Sequence, residues 1–288
     1  MIYVSTGGIS NKPACETSVN LLKHGINNIE LSGGQFSPDT LKKLKILKSK
    51  ISFQVHNYFP PPEIPFVFNL ASLNPETSSK SLDHALTAIK WAVELDTSIY
   101  SFHSGFLLDP HVNELGKRIG KRSLYDRNKA MSHFIKNINY LTEEANKEGV
   151  SLLIENNVLS HENYKEYGCD PFLMSTPEEC AYVMKNTSHN VNMLIDVAHL
   201  KVSSNTLSYD AVDMLNACEP WIRAYHLSDN NGLSDSNDTF DDTAWFWPYL
   251  KHDLDYYSIE VYNESMKGLK KLIDIVNNKL NYKKKENN

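Results

Sequence analysis

Eight short apolar runs rich in β-branched and aromatic residues, each followed by a turn signal and a stretch with helical spacing, recur along the 288-residue chain. This alternation constrains the fold more than any other feature. The strand candidates are Ile2–Ser5, Asn28–Leu31, Ile51–His56, Ile99–His103, Ser151–Glu155, Asn192–Asp196, Arg223–Leu227 and Tyr256–Val261. Helical spacing lies near Lys12–His24, Asp39–Lys48, Ser78–Glu94, Leu124–Glu148, Thr176–Lys185, Tyr209–Ala217, Asp242–Leu250 and Asn263–Leu280. Strands alternating with helices pair in parallel, and near-continuous apolar strands are covered on both faces. Eight such units predict an α/β chain folded as a single (β/α)8 TIM barrel over residues 1–280. The alternative on pattern alone, an open doubly wound sheet, usually carries a glycine-rich phosphate turn after its first strand. Ser5-Thr6-Gly7-Gly8 supplies only a glycine pair, with no GxGxxG after it. No linker rich in Pro, Gly or Ser divides the chain, so one domain is expected, with residues 281–288 a polar, basic, disordered tail holding Lys283-Lys284-Lys285.

Composition narrows the function classes. With 41% hydrophobic and 22% charged residues the chain is not of the disordered type. No apolar run approaches the roughly 18 residues that span a bilayer. Met1-Ile2-Tyr3 opens directly into a strand, without the basic and apolar regions of a secretory leader. No membrane association and a cytoplasmic location are therefore expected. Cys15, Cys169, Cys180 and Cys218 lie far apart with no CxxC, which suggests free thiols rather than disulfides or a thiolate zinc site. A net charge of −6 is the reverse of the footprint that binds a phosphate backbone, so no nucleic-acid partner is expected.

In a parallel barrel the C-terminal ends of all strands open on one face, and polar residues ending apolar strands converge there. His56 ends Phe53-Gln54-Val55-His56, His103 ends Tyr100-Ser101-Phe102-His103, and Glu155 ends Leu152-Leu153-Ile154-Glu155. Asp196 ends Met193-Leu194-Ile195-Asp196 with His199 three residues on, and His226 and Glu260 follow in Ala224-Tyr225-His226 and Ser258-Ile259-Glu260. One such residue is ordinarily bonded to a neighbouring loop. Crowded buried carboxylates, however, repel one another and lose hydration unless a cation neutralises them. Two Glu, one Asp and several His, with no thiolate, suit a divalent ion such as Mn²⁺, Co²⁺ or Zn²⁺, with Mg²⁺ as an oxygen-favouring alternative.

The series Ile29-Glu30-Leu31, Val55-His56, Phe102-His103-Ser104-Gly105, Ile154-Glu155-Asn156, Ile195-Asp196-Val197-Ala198-His199, His226-Leu227-Ser228-Asp229 and Ile259-Glu260-Val261 resembles the xylose isomerase-like TIM-barrel superfamily. That group holds sugar isomerases and epimerases, inosose dehydratases and nucleases of the endonuclease IV type. The resemblance implies a metal held by Glu155, Asp196, His226 and Glu260, and makes His199 a group that touches substrate or supports a ligand. Asn69-Leu70-Ala71-Ser72, with His56 and His103, resembles the segment where the nucleases place ligands for a further zinc. The histidine that completes their third metal site has no counterpart in Leu227–Asp242, which carries Asp229, Asp235, Asp238, Asp241 and Asp242 instead. Such an acidic loop repels a phosphate backbone. The Arg that ketohexose 3-epimerases place shortly after the metal-binding His is also missing from Leu227–Asp235.

The resulting expectation is a metal-dependent isomerase or epimerase acting on a small sugar or sugar derivative, by proton transfer through an enediolate that the metal stabilises. Glu155 and Glu260 are the candidate catalytic bases, and His199, His56 and His103 the candidate substrate-binding groups, the last two also open to a second ion. The alternatives are an abasic-site phosphodiesterase of the endonuclease IV type and a non-catalytic metal-containing sugar-binding barrel; the oligomeric state is left open. Aromatic segments at Tyr58-Phe59-Pro60-Pro61-Pro62 and Trp245-Phe246-Trp247-Pro248 could wall the pocket, or simply pack. Arg118, Arg122 and Arg127, after the fourth strand, could fork onto a phosphate or carboxylate, or face solvent.

Overall fold

The computed structural model describes residues 1–9, 12–254 and 256–286, the side chains of 282–286 excepted. Its strands are β1 (Ile2–Ser5), β2 (Asn28–Leu31), β3 (Ser52–His56), β4 (Ile99–His103), β5 (Ser151–Glu155), β6 (Val191–Asp196), β7 (Ile222–Leu227) and β8 (Tyr256–Ile259). They close into a parallel barrel in chain order, β8 returning to pair with β1. The helices are α1 (Ala14–Lys23), α2 (Thr40–Leu47), α3 (Pro75–Glu94), α4 (Arg127–Lys147), α5 (His161–Tyr167), α6 (Pro177–Asn186), α7 (Val197–Leu207), α8 (Ala211–Cys218) and α9 (Met266–Glu286). The lysines of the basic run at 283–285 lie on the last turns of α9, and their side chains fall outside the described residues.

The strands read as continuous apolar runs because both of their faces are buried, but the two faces carry different chemistry. Alternate residues such as Ile29, Val55, Phe102, Ile154, Ile195, Tyr225 and Ile259 join the main core together with the helix residues Leu21, Ala88, Phe134 and Leu272. The other set points inward. At the bottom of the barrel Tyr3, Ile99, Leu153, Leu194, Ala224 and Tyr256 form a separate apolar plug. Two residues further along the same strands the inward positions turn polar: Ser5, Ser101, Glu155, Asp196, His226 and Ser258, each 2% exposed or less. The mouth therefore rests on an apolar floor, and its ionisable groups occupy the layer above it.

Two expectations about elements need correction. The stretch Asp242–Leu250 is not an α-helix; it holds only a 3-10 turn at Trp247–Tyr249. Pro248 and the burial of Phe246 and Trp247 explain this, since the Trp247 ring bonds back to the Asp241 carbonyl and the aromatics pack edge-on against Phe240 instead of lying along a helix face. Helices α5 and α7, by contrast, have no counterpart among the expected helices. α7 starts at the residue after β6, with Asp196 serving as both strand end and helix N-cap.

Candidate metal centre and active site

Local chemistry fixes each side chain at the mouth. The Asp-x-x-His spacing is that of a capped helix: Asp196 Oδ1 accepts the backbone N–H of His199 at 2.8 Å. Asp196 Oδ2 is left buried and without a hydrogen-bond partner among the described residues. The Asn156 amide pins the same strand end, accepting from Asp196 N at 2.9 Å and donating to its carbonyl at 3.1 Å. Glu260 follows β8 directly, and its N–H is held by the Leu227 carbonyl at 3.1 Å. A Cβ at Gly7 would stand 3.0 Å from Glu260 Oε1 and 2.8 Å from Ser32 Oγ, so a side chain there would push on both groups.

The seven residues singled out in the sequence converge. Glu155 Oε2 lies 3.3 Å from His56 Nε2 and 3.1 Å from His103 Nε2, while Oε1 lies 3.2 Å from His199 Nδ1 and 3.6 Å from His226 Nδ1. His226 Nδ1 also faces Glu260 Oε2 at 2.8 Å and Asp196 Oδ2 at 3.8 Å. Ligand atoms of Glu155, Asp196 and His226 lie within 4.8 Å of one another, and so do those of His56, His103 and Glu155. Both Glu155 oxygens and His226 Nδ1 are buried polar atoms without a hydrogen-bond partner. This donor set, carboxylate oxygens around one imidazole nitrogen, fits a divalent cation.

The electrostatics follow from crowding. Burial disfavours charge on Glu155, yet His103, His226 and His56 hold its carboxyl well below the usual carboxylate range. Burial also opposes charge on His226, but Glu30, Glu155 and Glu260 outweigh it and raise its pKa well above the ordinary imidazole value. His199 is raised in the same way, against burial, by Asp196 and Asp235. Burial keeps His56 well below 6.5 despite the pull of Glu155. Asp196 is pushed up by burial and by Glu155 and Asp235, against His199 and His226.

Three residues at the site escaped the sequence reading as site groups. Glu30, inward on β2 and fully buried, accepts from His226 Nε2 at 2.8 Å. Asp235, from the loop after β7, meets His199 Nε2 at 3.2 Å. That loop is closed by paired backbone bonds between Asp229 and Asp238. Tyr262, beyond β8, has its phenol pushed up by the neighbouring Glu260 and by burial. Only Glu30 had an available signal, since it is a carboxylate one residue from the end of an apolar strand candidate.

Other expected contributors are used elsewhere. Asn69 and Ser72 do not join the histidines: Asn69 Nδ2 donates to Asp109 Oδ1 at 3.0 Å, and the Ser72 hydroxyl to Asp109 Oδ2 at 2.8 Å, pinning the loop after β4. Arg118 pairs with Glu166, Arg122 with Glu114 and Arg127 with Glu179. Phe59 and Phe246 are fully buried, and Tyr58 stacks on His84, so these aromatics pack rather than line a cavity.

Residues 20–277 match the family model of the xylose isomerase-like TIM barrel. The chain belongs to that family. Among solved structures it resembles a D-tagatose 3-epimerase-like protein at 20% identity, with TM-score 0.70 and coverage of 97% of this chain and 99% of that one. A Thermus thermophilus protein, TTHB071, soaked with zinc chloride, matches at 22% identity and TM-score 0.62, covering 96% and 98% of the two chains. D-psicose 3-epimerase from Clostridium cellulolyticum, with D-tagatose, matches at 14% identity and TM-score 0.62, covering 98% and 97%. At these identities the likeness is one of fold. No curated protein matches the chain.

Proposed function

We propose that the protein is a metal-dependent isomerase or epimerase of a small sugar. The observation that carries this reading is the set of three carboxylates, Glu155, Asp196 and Glu260, gathered around His226 Nδ1 above an apolar barrel floor. These four residues would hold the ion. When bound, a divalent cation polarises a substrate carbonyl and its neighbouring hydroxyl, lowering the cost of charge developing on oxygen. Glu155 ends β5 and Glu260 follows β8, three strands further round the barrel, and in this reading they take and return the carbon-bound proton from opposite faces. His199, pinned by Asp235, Asn156 and Glu155, orients a substrate hydroxyl. His56 and His103 bind the remaining hydroxyls or a second ion at Glu155 Oε2. Because Arg118, Arg122 and Arg127 are each taken up by a glutamate, the reading favours an unphosphorylated sugar.

The test is proton exchange. Metal-loaded protein is incubated in deuterated water with a panel of free aldoses, ketoses and keto-glycosides, and deuterium at carbon is followed by NMR. Exchange with product formation for at least one free sugar is expected. A protein that binds metal tightly yet catalyses no exchange with any of them would overturn the proposal. The His56, His103 and Glu155 cluster favours one second reading, a phosphodiesterase using an additional ion there. Incision of an abasic duplex by the same preparation would support that reading instead.

A further inference from the structure

Glu30 and His226 sit on β2 and β7, which do not pair; β1 and β8 lie between them in the barrel. Yet Glu30 Oε2 accepts from His226 Nε2 at 2.8 Å, with both side chains wholly buried. The path is open because the intervening strands present small residues at the polar level: Ser5, in register with Glu30, and Ser258, in register with His226. Glu30 Oε1 is buried and has no hydrogen-bond partner among the described residues. A buried carboxylate is costly to keep unless it is paired and hydrogen-bonded, and here the partner is His226, whose other ring nitrogen lies on the far side. For His226 the far side is Nδ1, which faces Glu155, Asp196 and Glu260.

We infer that Glu30 is the positioning residue of the metal site, resting on the reading of that site given above: by accepting the Nε2 proton of His226 it fixes the tautomer and ring angle that aim the Nδ1 lone pair at the ion. A carboxylate behind a ligating imidazole orients it and raises its basicity. Glu30 could instead be a ligand itself, together with His56 and His226, whose ligand atoms lie within 4.8 Å of its own. The bonds already made argue against this. Glu30 Oε2 is used by His226, while His56 Nδ1 is bonded to Ser101 Oγ at 2.9 Å and its Nε2 points to Glu155.

The experiment measures Co²⁺ and Zn²⁺ affinity of the full chain by competition with a chromophoric chelator, and records the visible spectrum of the Co²⁺ form, for wild type, Glu30→Gln and Glu30→Ala. Unfolding in excess chelator reports the fold separately from the ion. Glu30→Ala should weaken binding roughly 10- to 100-fold and shift the Co²⁺ bands. Glu30→Gln, whose amide oxygen still accepts from Nε2, should recover most of both. In a His226→Ala background, Glu30→Ala should cost no further affinity, because the two act as one unit. Unchanged affinity and spectrum in both single variants would overturn the inference while leaving the metal site standing. Equal loss in Gln and Ala would overturn it in favour of direct ligation. A wild type that binds neither ion would overturn the metal site, and this inference with it.

Discussion

His103 and Glu155 are register partners on β4 and β5, and their side chains meet at 3.1 Å between Nε2 and Oε2. His56 reaches the same oxygen from β3, whereas the other Glu155 oxygen faces His199 and His226. One carboxylate thus joins the two halves of the mouth, and its replacement should reach further than that of any other residue there.

Metal content is the first consequence. Purified protein should carry about one tightly held divalent ion per chain, or about two where His56 and His103 also take one. Glu155→Gln should lose most of it, as measured by elemental analysis after gel filtration. Unchanged content would remove Glu155 from the ligand set.

Removal of the ion should lower stability, because the ligands are assembled only in the folded barrel. At a free metal concentration of about 100 times Kd the linkage is worth about 2.7 kcal/mol. A chelator should therefore lower Tm in calorimetry, and metal should restore it. Stripping the ion with no shift in melting would show that the site is not coupled to folding.

The two glutamates should divide the proton transfer. Loss of either as a base should cost roughly 10²–10⁴ in turnover, and the loss should persist at saturating metal. In deuterated water, a variant that still exchanges the substrate hydrogen but forms no product would mark the two-base scheme. Loss of exchange and turnover together in one variant, with the other near normal, would point to a single base.

Asp109 ties the loop after β4 to the segment after β3, accepting from Asn69, Ser72 and Tyr125. Asp109→Ala leaves those donors to find water or go unpaired, at a cost of about 1–3 kcal/mol. Urea unfolding should show this loss, while metal affinity stays close to that of the wild type. A large drop in affinity would place Asp109 in the metal site after all.

His84 packs against Tyr58, Phe66 and Phe68, and burial lowers its pKa from 6.5 to about 4. Since the folded state holds it neutral, the unfolded chain binds more protons between these values. Its contribution is intact above pH 6.5 and fades as the pH falls towards 4. His84→Gln should flatten the pH dependence of unfolding in that window, measured in chelator. An unchanged slope would assign the acid sensitivity to other groups.

The strands were legible because both faces of a closed parallel barrel are buried, and the convergence of the candidate residues because most of them stand at or beside the ends of those strands. What stayed hidden depended on contacts between distant segments. α7 carries no turn signal before it, since Asp196 caps it from the last position of β6. The segment around Trp247 has helical spacing but is drawn into an aromatic cluster. Glu30 looks like one carboxylate in a short strand until the barrel brings it to His226, 196 residues away. Asp235 is one acid among several in its loop, and only the fold selects it.

The backbone pairing between Asp229 and Asp238 acts as a clasp. It separates the loop that delivers Asp235 to His199 from the strands that carry the other ionisable groups. Asn230 and Asn237 hold the loop down, bonded to Ala198 and Ser228, so the exposed Asn231, Leu233, Ser234 and Ser236 are the positions that can change without disturbing the barrel beneath. On the proposed reading, substrate preference can drift through those four positions while Asp235 keeps its place against His199.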